Sequence, residues 1–343
     1  MATATETTTT PATPTTTTTT PPNIPPPSAL RAALSRDGFV HIPSLLPASQ
    51  ISALRAAATS LTAAARRGDW PHIRTLPKQF PPWPSTPGAD GIWGVQHLLH
   101  PSVNALLHGG CGGGAVASTT TFAESYFGDA VTGVCKALLQ VDAEDDDGDG
   151  DGDAELVMEL YNMLVRPDRD FELRWHRDDI GPDVGPEEEL ARLTAANGGG
   201  APLHAQWNLA LFEDRSLVVV PGSHRRARTE AERGAAPYAA ELPGMQVVVM
   251  QPGDCVFYDN NILHRGVYDK ERERMTLHGS VGLARGGKER ARNVLQHGVG
   301  EWVGECDFSG LPDGIRQRAE GMRERLVKMG SDAGDVGYFS KDE

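Results

Sequence analysis

The sequence has few cysteines and no long apolar run, and each absence excludes a class of protein. Its four cysteines, Cys111, Cys135, Cys255 and Cys306, stand far apart among 343 residues, without a CxxC pair. That spacing argues against a disulfide framework and a structural zinc site, and it is typical of a reducing compartment. No apolar run approaches about 18 residues, so no transmembrane helix is expected.

Targeting signals are also missing from both ends of the sequence. The N-terminus lacks the basic start and apolar core of a secretory signal, and its first arginine is Arg31, which disfavours a mitochondrial transit peptide. The C-terminal SKDE is neither a peroxisomal nor an ER-retention signal. We therefore expect a soluble intracellular protein, located in the cytoplasm and not bound to a membrane.

The charge balance is strongly acidic, with a net charge of -14. Such a field repels DNA and RNA on average, so nucleic acid is a poor candidate partner. Hydrophobic residues make up 39% of the chain, which is enough to build one large domain with a substantial core.

Composition divides the chain into a tail, a domain and an insertion. Residues 1–28 are almost entirely Thr, Pro and Ala and predict a disordered tail, while residues 29–343 predict a single domain. The acidic residues 142–155 resemble a calcium loop. However, the twelfth position of an EF-hand would be Leu156 or Met158 rather than the required Glu. We interpret this segment as a disordered, solvated insertion.

The remaining pattern predicts helices followed by short strands. Residues 29–61 indicate a helix that ends at Gly38, a strand closed by Pro43 and a second helix. Short strands with Gly and Pro turns then follow, including QWNLALF and SLVVVPG, which flank EDR as a predicted hairpin. Residues 76–100 predict an irregular covering segment rich in Pro and Trp. This spacing favours a mainly β fold, a sandwich or barrel core with packed helices.

The segment LRWHRDDI, residues 173–180, combines a histidine and carboxylates with apolar residues. On a strand, His176 and Asp178 share one face and Arg177 points away, so an imidazole and a carboxylate lie side by side. Asp179 points to the opposite face and is the weaker candidate ligand. Taken alone, the pair is explained better by a His–Asp hydrogen bond than by a metal site.

A second segment, PGDCVFYDNNILHRGVYDKERERMTLHGS, shifts the balance toward a metal. It places His264 just after a strand and a turn, and Arg274 ten residues later at the start of an apolar strand. Two histidines and one carboxylate with open positions are the ligand set of non-haem Fe(II) oxygenases. An arginine such as Arg274 suits the far carboxylate of 2-oxoglutarate, and the Thr276 hydroxyl shares its strand face.

Other polar residues admit two explanations each. Asn162 and Asn208 lie inside apolar strands, and their amides need either 2-oxoglutarate oxygens or backbone partners. His278 shares a strand face with Arg274 and is expected near the same site. We expect core or surface roles for His97 and His100, and a structural hydrogen bond for His224. The basic cluster HRRAR, residues 224–228, is either a solvated loop or a contact for an anionic substrate.

The chain resembles the phytanoyl-CoA dioxygenase family of Fe(II)- and 2-oxoglutarate-dependent oxygenases. The resemblance rests on RDGFVHIPSLLPASQISALRAA, WHRD, VVVPGSHR and PGDCVFYDNNILHRG with RMTL, in that order, over about residues 30–285. It implies a double-stranded β-helix, or jelly roll, with N-terminal helices packed on it. It also implies iron at His176, Asp178 and His264, the 2-oxoglutarate carboxylate at Arg274, and O2 as the second co-substrate.

The resemblance further implies hydroxylation of a C–H bond of a small molecule, with release of succinate and CO2. Halogenating relatives replace the carboxylate ligand with a small residue, so the presence of Asp178 favours hydroxylation. The long insertion from Gly181 to Leu203 lies near the expected substrate entrance, and the substrate is left open. Two alternatives stay in view: a cupin-like metal-binding protein without oxygenase activity, and a nucleic-acid demethylase, which the acidic charge disfavours.

Overall fold

The computed structural model describes residues 24–108, 120–141, 152–197, 202–295 and 297–334. Cys111, most of the predicted disordered tail and residues 142–151 of the acidic insertion lie outside these ranges. The end of the insertion forms a short 3-10 turn, Gly152–Ala154, in which Asp153 pairs with Lys136 at 2.6 Å and Arg318 at 2.8 Å. Every helix among the described residues is too short or too polar to cross a lipid bilayer.

The strands of the described residues form two antiparallel sheets. They are β1 (Phe39–Ile42), β2 (Ile73–Thr75), β3 (Ile92–Val95), β4 (Leu156–Val165), β5 (Phe171–Glu172), β6 (His204–Ala210), β7 (Leu217–Val220), β8 (Gln246–Val247), β9 (Cys255–Tyr258), β10 (Leu263–Tyr268) and β11 (Met275–Leu283). The larger sheet has the order β1-β9-β6-β11-β4-β3-β2, and the smaller has the order β5-β10-β7-β8.

The eight strands from β4 to β11 form a double-stranded β-helix. The first, third, sixth and eighth of them lie together in the larger sheet, and the other four make up the smaller sheet. This alternation of consecutive strands between two facing sheets is the jelly-roll arrangement. The predicted fold is therefore confirmed.

The helices of the described residues are α1 (Pro27–Asp37), α2 (Ala48–Arg67), α3 (Pro101–His108), α4 (Thr121–Phe127), α5 (Asp129–Leu139), α6 (Pro186–Asn197), α7 (Glu230–Gly234), α8 (Gly287–Leu295) and α9 (Asp313–Ala333). Of these, α1, α2, α5 and α9 contact strands of the larger sheet, whereas α6 packs on the 3-10 turn Ser223–Arg225. As predicted, α1 ends at Gly38, whose φ of 81° suits glycine because it has no Cβ.

Strand alternation sorts the side chains of the larger sheet between two environments. On β6, Trp207 and Leu209 join the core beneath the helices, whereas Gln206 and Asn208 line a cavity between the sheets. On β11, Leu277 joins the same core and His278 lines the cavity. The period of two in a strand thus gives one face to packing and the other to a site.

Two sequence predictions of local structure are wrong. The strands β6 and β7 do not form a hairpin: β6 pairs with β9 and β11, while β7 pairs with β10 and β8 in the other sheet. The segment between them crosses from one sheet to the other. The segment LRWHRDDI, treated above as a strand, lies beyond the end of β5 at Glu172, and His176 keeps only an isolated bridge to His264.

Candidate active site

The segment around His176 is held against β10 by two backbone hydrogen bonds. His176 N donates to the carbonyl of His264, and His264 N donates to the carbonyl of His176, both at 3.0 Å. Asp178 N donates to the carbonyl of Asn260 at 2.9 Å. Although the chain here is no regular strand, this bridge brings the two imidazoles together, with ring centroids 4.3 Å apart.

Three ligand atoms converge at this point. The Nε2 atoms of His176 and His264 lie 3.5 Å and 3.7 Å from the same oxygen of Asp178, Oδ1. One ligand atom from each of the three residues lies within 4.8 Å of the others, and the described residues contain no other such group of three or more His, Cys, Asp or Glu. The spacing suits three ligands on one side of a single cation.

Neighbouring groups orient all three side chains. The Nδ1 atoms of His176 and His264 lie 2.8 Å from the carbonyl oxygens of Arg174 and Ile262, so each Nδ1 carries the proton and each Nε2 offers a lone pair. Gln206 Nε2 donates to Oδ2 of Asp178 at 3.2 Å. Burial, and next the charge of His176, lower the pKa of His264 to about 4, which favours the neutral imidazole that binds metal.

The donor set fits iron. Two imidazoles and a carboxylate on one side, with the opposite side facing a cavity, match the 2-His-1-carboxylate triad of non-haem Fe(II) oxygenases. A structural zinc site would instead surround the ion with four protein ligands.

Arg177 points away from the triad, as strand alternation predicts. Its Nε donates to Oε1 of Glu189 on α6 at 2.8 Å, and both side chains are fully buried. The same carboxylate also receives Arg228 Nη1 at 2.6 Å and pairs with Arg233. The segment that carries His176 and Asp178 is therefore held, on the side opposite the triad, by ion pairs with the long insertion that contains α6.

The cavity beside the triad has a volume of 670 Å³, within the range of small-molecule sites. Arg274 lines it together with the three triad residues. Its Nε donates to Oδ2 of Asp214 at 3.0 Å, and its guanidinium lies 4.4 Å from the centre of the Tyr268 ring. Its Nη1 is buried without a hydrogen-bond partner among the described residues.

Asp214 is a buried carboxylate that positions Arg274. Burial acts to raise the pKa of Asp214, but the charge of Arg274 and the hydrogen bonds of Ser216 and Thr276 outweigh it and lower that pKa. The carboxylate therefore stays ionised and holds one edge of the guanidinium. The other edge, with Nη1, is left for a ligand.

The structure does not bring every predicted co-substrate contact to the cavity. Thr276 is absent from the lining, because its hydroxyl donates to Asp214. Asn162 is absent too, because its Oδ1 accepts from His97 N at 3.0 Å. Asn208 does line the cavity, and its Oδ1 lies 2.9 Å from Nδ1 of His278, which lines it as well.

The other candidate residues have local partners. Asp179 lines the cavity and accepts from Asn260, but it is not part of the converging group. His224 lies 3.2 Å from the carbonyl oxygen of Ser35, which fits the predicted structural role. His97 and His100 pack edge-on or tilted against His72 and Trp302 in an aromatic cluster.

Two arginines of the HRRAR cluster bind acidic side chains, whereas Arg225 is exposed to solvent. Arg226 forms two hydrogen bonds of 2.7 Å with Glu232, and Arg228 pairs with the buried Glu189. These arginines serve the internal ion network behind the triad. Glu232 follows Arg226 closely in the sequence, whereas Glu189 lies on α6, 39 residues before Arg228.

Sequence reasoning missed three residues of the site: Asp214, Gln206 and Arg74. Asp214 lies in the predicted turn EDR, and only the crossing between sheets buries it. Gln206 is a polar residue in an apolar strand, the same signal that singled out Asn208. Arg74, a cationic residue next to the covering segment, lines the cavity, which the sequence did not signal.

Comparisons with known proteins agree with this architecture. A sequence profile described as phytanoyl-CoA dioxygenase (PhyH) matches residues 34–267, more than half of the chain, which includes the triad and stops before Arg274. No curated protein sequence matches the chain.

Solved structures with a similar overall arrangement share less than a fifth of their residues with this chain. EctD from S. alaskensis, with 2-oxoglutarate and 5-hydroxyectoine, is 18% identical, with a TM-score of 0.48 over 75% of this chain and 76% of that one. The epimerase SnoN from nogalamycin biosynthesis is 18% identical, with a TM-score of 0.44 over 75% and 81%. AviO1 from Streptomyces viridochromogenes is 19% identical, with a TM-score of 0.43 over 75% and 95%.

The profile match covers about two thirds of the sequence, and the jelly roll and the converging triad agree with it. Together these findings assign the chain to a protein family. This chain belongs to the phytanoyl-CoA dioxygenase family of Fe(II)- and 2-oxoglutarate-dependent oxygenases.

Proposed function

We propose that this oxygenase hydroxylates a C–H bond of a small molecule and converts 2-oxoglutarate and O2 to succinate and CO2. The iron ligands would be His176, Asp178 and His264. The observation that supports this most directly is that both Nε2 atoms lie within 3.7 Å of one Asp178 oxygen, on the wall of a cavity that Arg274 also lines.

When bound, ferrous iron and 2-oxoglutarate would provide the chemistry by which O2 oxidises the substrate C–H bond. The chain itself supplies position and environment. Gln206 holds Oδ2 of Asp178, and this leaves Oδ1 toward the two imidazoles. Arg274 offers its unpartnered Nη1 to the far carboxylate of 2-oxoglutarate, which fixes the pose of that molecule.

The covering segment forms part of the cavity wall. Gln79, Phe80, Pro81 and Trp83 line the cavity, and the Phe80 ring lies edge-on to His176 at 5.9 Å. Gln79 Oε1 accepts from Arg174 N at 3.0 Å, which ties this segment to the triad segment. Burial of Arg274 in this wall strengthens its charge interactions.

The second candidate function is a cupin-like metal-binding protein without oxygenase activity. It explains the triad but gives no reason for a buried guanidinium with an unsatisfied Nη1 beside it. An unpaired buried donor is costly unless a ligand satisfies it. Arg274 is therefore the residue that separates the two hypotheses.

The test is an anaerobic titration of the protein with Fe(II) and 2-oxoglutarate, monitored by the weak visible charge-transfer band. We expect the band in the wild-type protein and its loss in His176→Ala. Arg274→Ala should bind 2-oxoglutarate tenfold or more weakly, as expected for loss of a charged hydrogen bond of about 1.5–3 kcal/mol. His41→Ala, which removes an exposed histidine, is the control.

Two results would contradict the proposal. A full-strength band in both His176→Ala and Arg274→Ala would contradict the assignment of the triad as the metal ligands and of Arg274 as the 2-oxoglutarate anchor. A metal-loaded wild-type protein that does not bind 2-oxoglutarate would favour the cupin-like alternative. Succinate release across a panel of metabolites would then address the substrate.

A further inference from the structure

Arg74 projects from the middle of β2 and has a fixed stem. It stands opposite Gly94 in the register of β2 and β3. A Cβ at Gly94 would lie 2.9 Å from Cδ of Arg74 and 3.1 Å from Cγ, so the arginine stem lies across the bare glycine. A side chain at position 94 would displace it.

The Arg74 guanidinium lies beside two neighbouring indoles at the cavity wall. Its central carbon is 5.1 Å from the ring centre of Trp83 and 5.2 Å from that of Trp93, both within cation–π range. His297 stacks on Trp83 at 6.2 Å. All four residues line the cavity that contains the triad.

This guanidinium forms no ion pair among the described residues, although the more distant Asp178 favours its charge. Arg265, Arg274 and Arg290 also line the cavity, and each pairs with a carboxylate, from Glu172, Asp214 and Glu159 respectively. No carboxylate of the described residues lies within 4.0 Å of Arg74, and its Nε is buried without a partner.

A second donor beside Arg74 is also unsatisfied. Trp83 Nε1 is buried and has no hydrogen-bond partner among the described residues. By contrast, Trp93 Nε1 donates to the carbonyls of Thr75 at 3.1 Å and Lys78 at 3.0 Å. The Arg74 guanidinium and Trp83 Nε1 can only donate hydrogen bonds, and the guanidinium is positively charged. An acceptor that carries negative charge would satisfy both groups.

Burial lowers the pKa of Arg74, which reflects the cost of holding this charge away from water. An anionic ligand would offset that cost. The two carboxylates of 2-oxoglutarate already have partners in the proposed function, one at the metal and one at Arg274. A further unpaired guanidinium is therefore left for the other ligand of the cavity.

We propose that Arg74, Trp83 and Trp93 form an anion subsite that binds a carboxylate or phosphate group of the primary substrate. The inference rests on the proposed function, because it takes Arg274 to be the partner of 2-oxoglutarate. It narrows the substrate class to small molecules that carry an oxyanion. It also gives the Trp-rich covering segment a role in recognition.

The test measures ligand binding by calorimetry, on the full chain loaded with Mn(II) and saturating 2-oxoglutarate. The probes share one alkyl chain and differ in head group: hexanoate, hexyl phosphate, hexan-1-ol and hexylamine. The variants are Arg74→Met, Arg74→Lys and Trp83→Phe, which removes only the indole donor. Lys78→Met is the control, because it removes an equal charge nearby from a residue that does not line the cavity.

We expect hexanoate or hexyl phosphate to bind, and the alcohol and the amine to bind at least tenfold more weakly. Arg74→Met should weaken anion binding about tenfold or more, Trp83→Phe by less, and Arg74→Lys should recover part of it. Lys78→Met should bind like wild type. The affinity for 2-oxoglutarate should change less than twofold in Arg74→Met.

Three outcomes would overturn the inference. The first is that neither anionic probe binds the wild-type protein, and the second is that Arg74→Met binds the anionic probes as tightly as wild type. The third is that Arg74→Met loses as much affinity for 2-oxoglutarate as Arg274→Met does. The last result would assign Arg74 to the co-substrate. Failure of the proposed function would look different, because the wild-type protein would then not bind 2-oxoglutarate at all.

Discussion

Arg274 and Asp214 form a buried ion pair whose two members come from different parts of the jelly roll. Nε of Arg274 lies 3.0 Å from Oδ2 of Asp214, and the two side chains are 8% and 2% exposed. Asp214 lies on the crossing between the sheets, and Arg274 directly precedes β11. The pair thus joins the crossing to the larger sheet at the cavity wall.

Asp214→Asn should destabilise the protein substantially. The amide keeps the size of the side chain, but it leaves the buried Arg274 charge without its counter-ion, which typically costs about 3–5 kcal/mol. Urea unfolding at pH 7 measures the change. Asp269→Asn is the control, because Asp269 pairs with Arg272 at the surface, where such pairs contribute about 1 kcal/mol or less. Equal shifts in both variants would contradict the assigned role of Asp214.

Gln206→Ala should weaken metal binding without unfolding the protein. Gln206 donates to Oδ2 of Asp178 at 3.2 Å, and partners of this kind commonly change metal affinity by about 10- to 100-fold. Titration with Mn(II), followed by electron paramagnetic resonance, measures the dissociation constant. Gln246→Ala, at an exposed position on β8, should bind like wild type. Wild-type affinity in Gln206→Ala would show that Asp178 needs no such support.

Much of the fold could be predicted because its signals are local. Gly38 ends α1, and strand alternation separates Trp207 from Gln206. The failures have a common cause, which is that the sequence does not state which strands pair. EDR was read as a hairpin turn, yet it joins two sheets, and only that crossing buries Asp214. Arg74 was missed for the same reason, since its place at the cavity depends on β2 pairing with β3.

The convergence of His176, Asp178 and His264 was predicted from two polar segments together with the family resemblance that their order carries. Alternation placed Arg177 away from the triad even though the segment is not a regular strand, because the bridge to His264 gives it a strand-like register. The polar residues Thr276 and Asn162 were harder to assign. A buried hydroxyl or amide needs a partner, but the sequence cannot distinguish a side chain or backbone partner from a ligand.

Stability should fall between pH 7 and pH 5 because of the histidine cluster near α3. Rings of His72 and His97 lie 4.7 Å apart, and those of His72 and His100 lie 5.2 Å apart. Burial lowers the pKa of all three, to about 4 for His72 and well below 6.5 for His97, although Glu305 opposes this at His100. Below about pH 6.5 the unfolded chain therefore binds protons that the folded chain does not, and unfolding is favoured.

His97→Asn isolates one site of this cluster. Its φ of 62° is one that asparagine tolerates better than most residues. In wild type, the unfolded chain binds a proton at His97 below pH 6.5 that the folded chain does not bind. The variant lacks this difference, so its unfolding free energy should fall less steeply with decreasing pH, by up to about 1.4 kcal/mol per pH unit. Urea unfolding at pH 7.5, 6.5 and 5.5 measures the slope. Parallel slopes for variant and wild type would rule out His97 as a contributor.

Glu189→Gln should destabilise the protein through the network behind the triad. Glu189 is fully buried and receives Arg177 at 2.8 Å and Arg228 at 2.6 Å, and it also pairs with Arg233. A neutral amide leaves these guanidinium groups without their shared anion, and we expect a loss of roughly 3–5 kcal/mol of unfolding free energy. Urea unfolding measures the loss, and limited proteolysis locates it.

The matched control for Glu189→Gln lies one residue away on the same helix. Glu188 pairs with Arg192 on the exposed side of α6, and pairs of this type contribute about 0.3–0.5 kcal/mol, so Glu188→Gln should unfold almost like wild type. Because Arg177 lies between two triad residues, loosening α6 should also loosen the triad. Glu189→Gln should therefore bind Mn(II) more weakly, whereas Glu188→Gln should not. If Glu189→Gln is destabilised but binds Mn(II) as tightly as wild type, the Glu189 network stabilises the position of α6 and does not support the metal ligands.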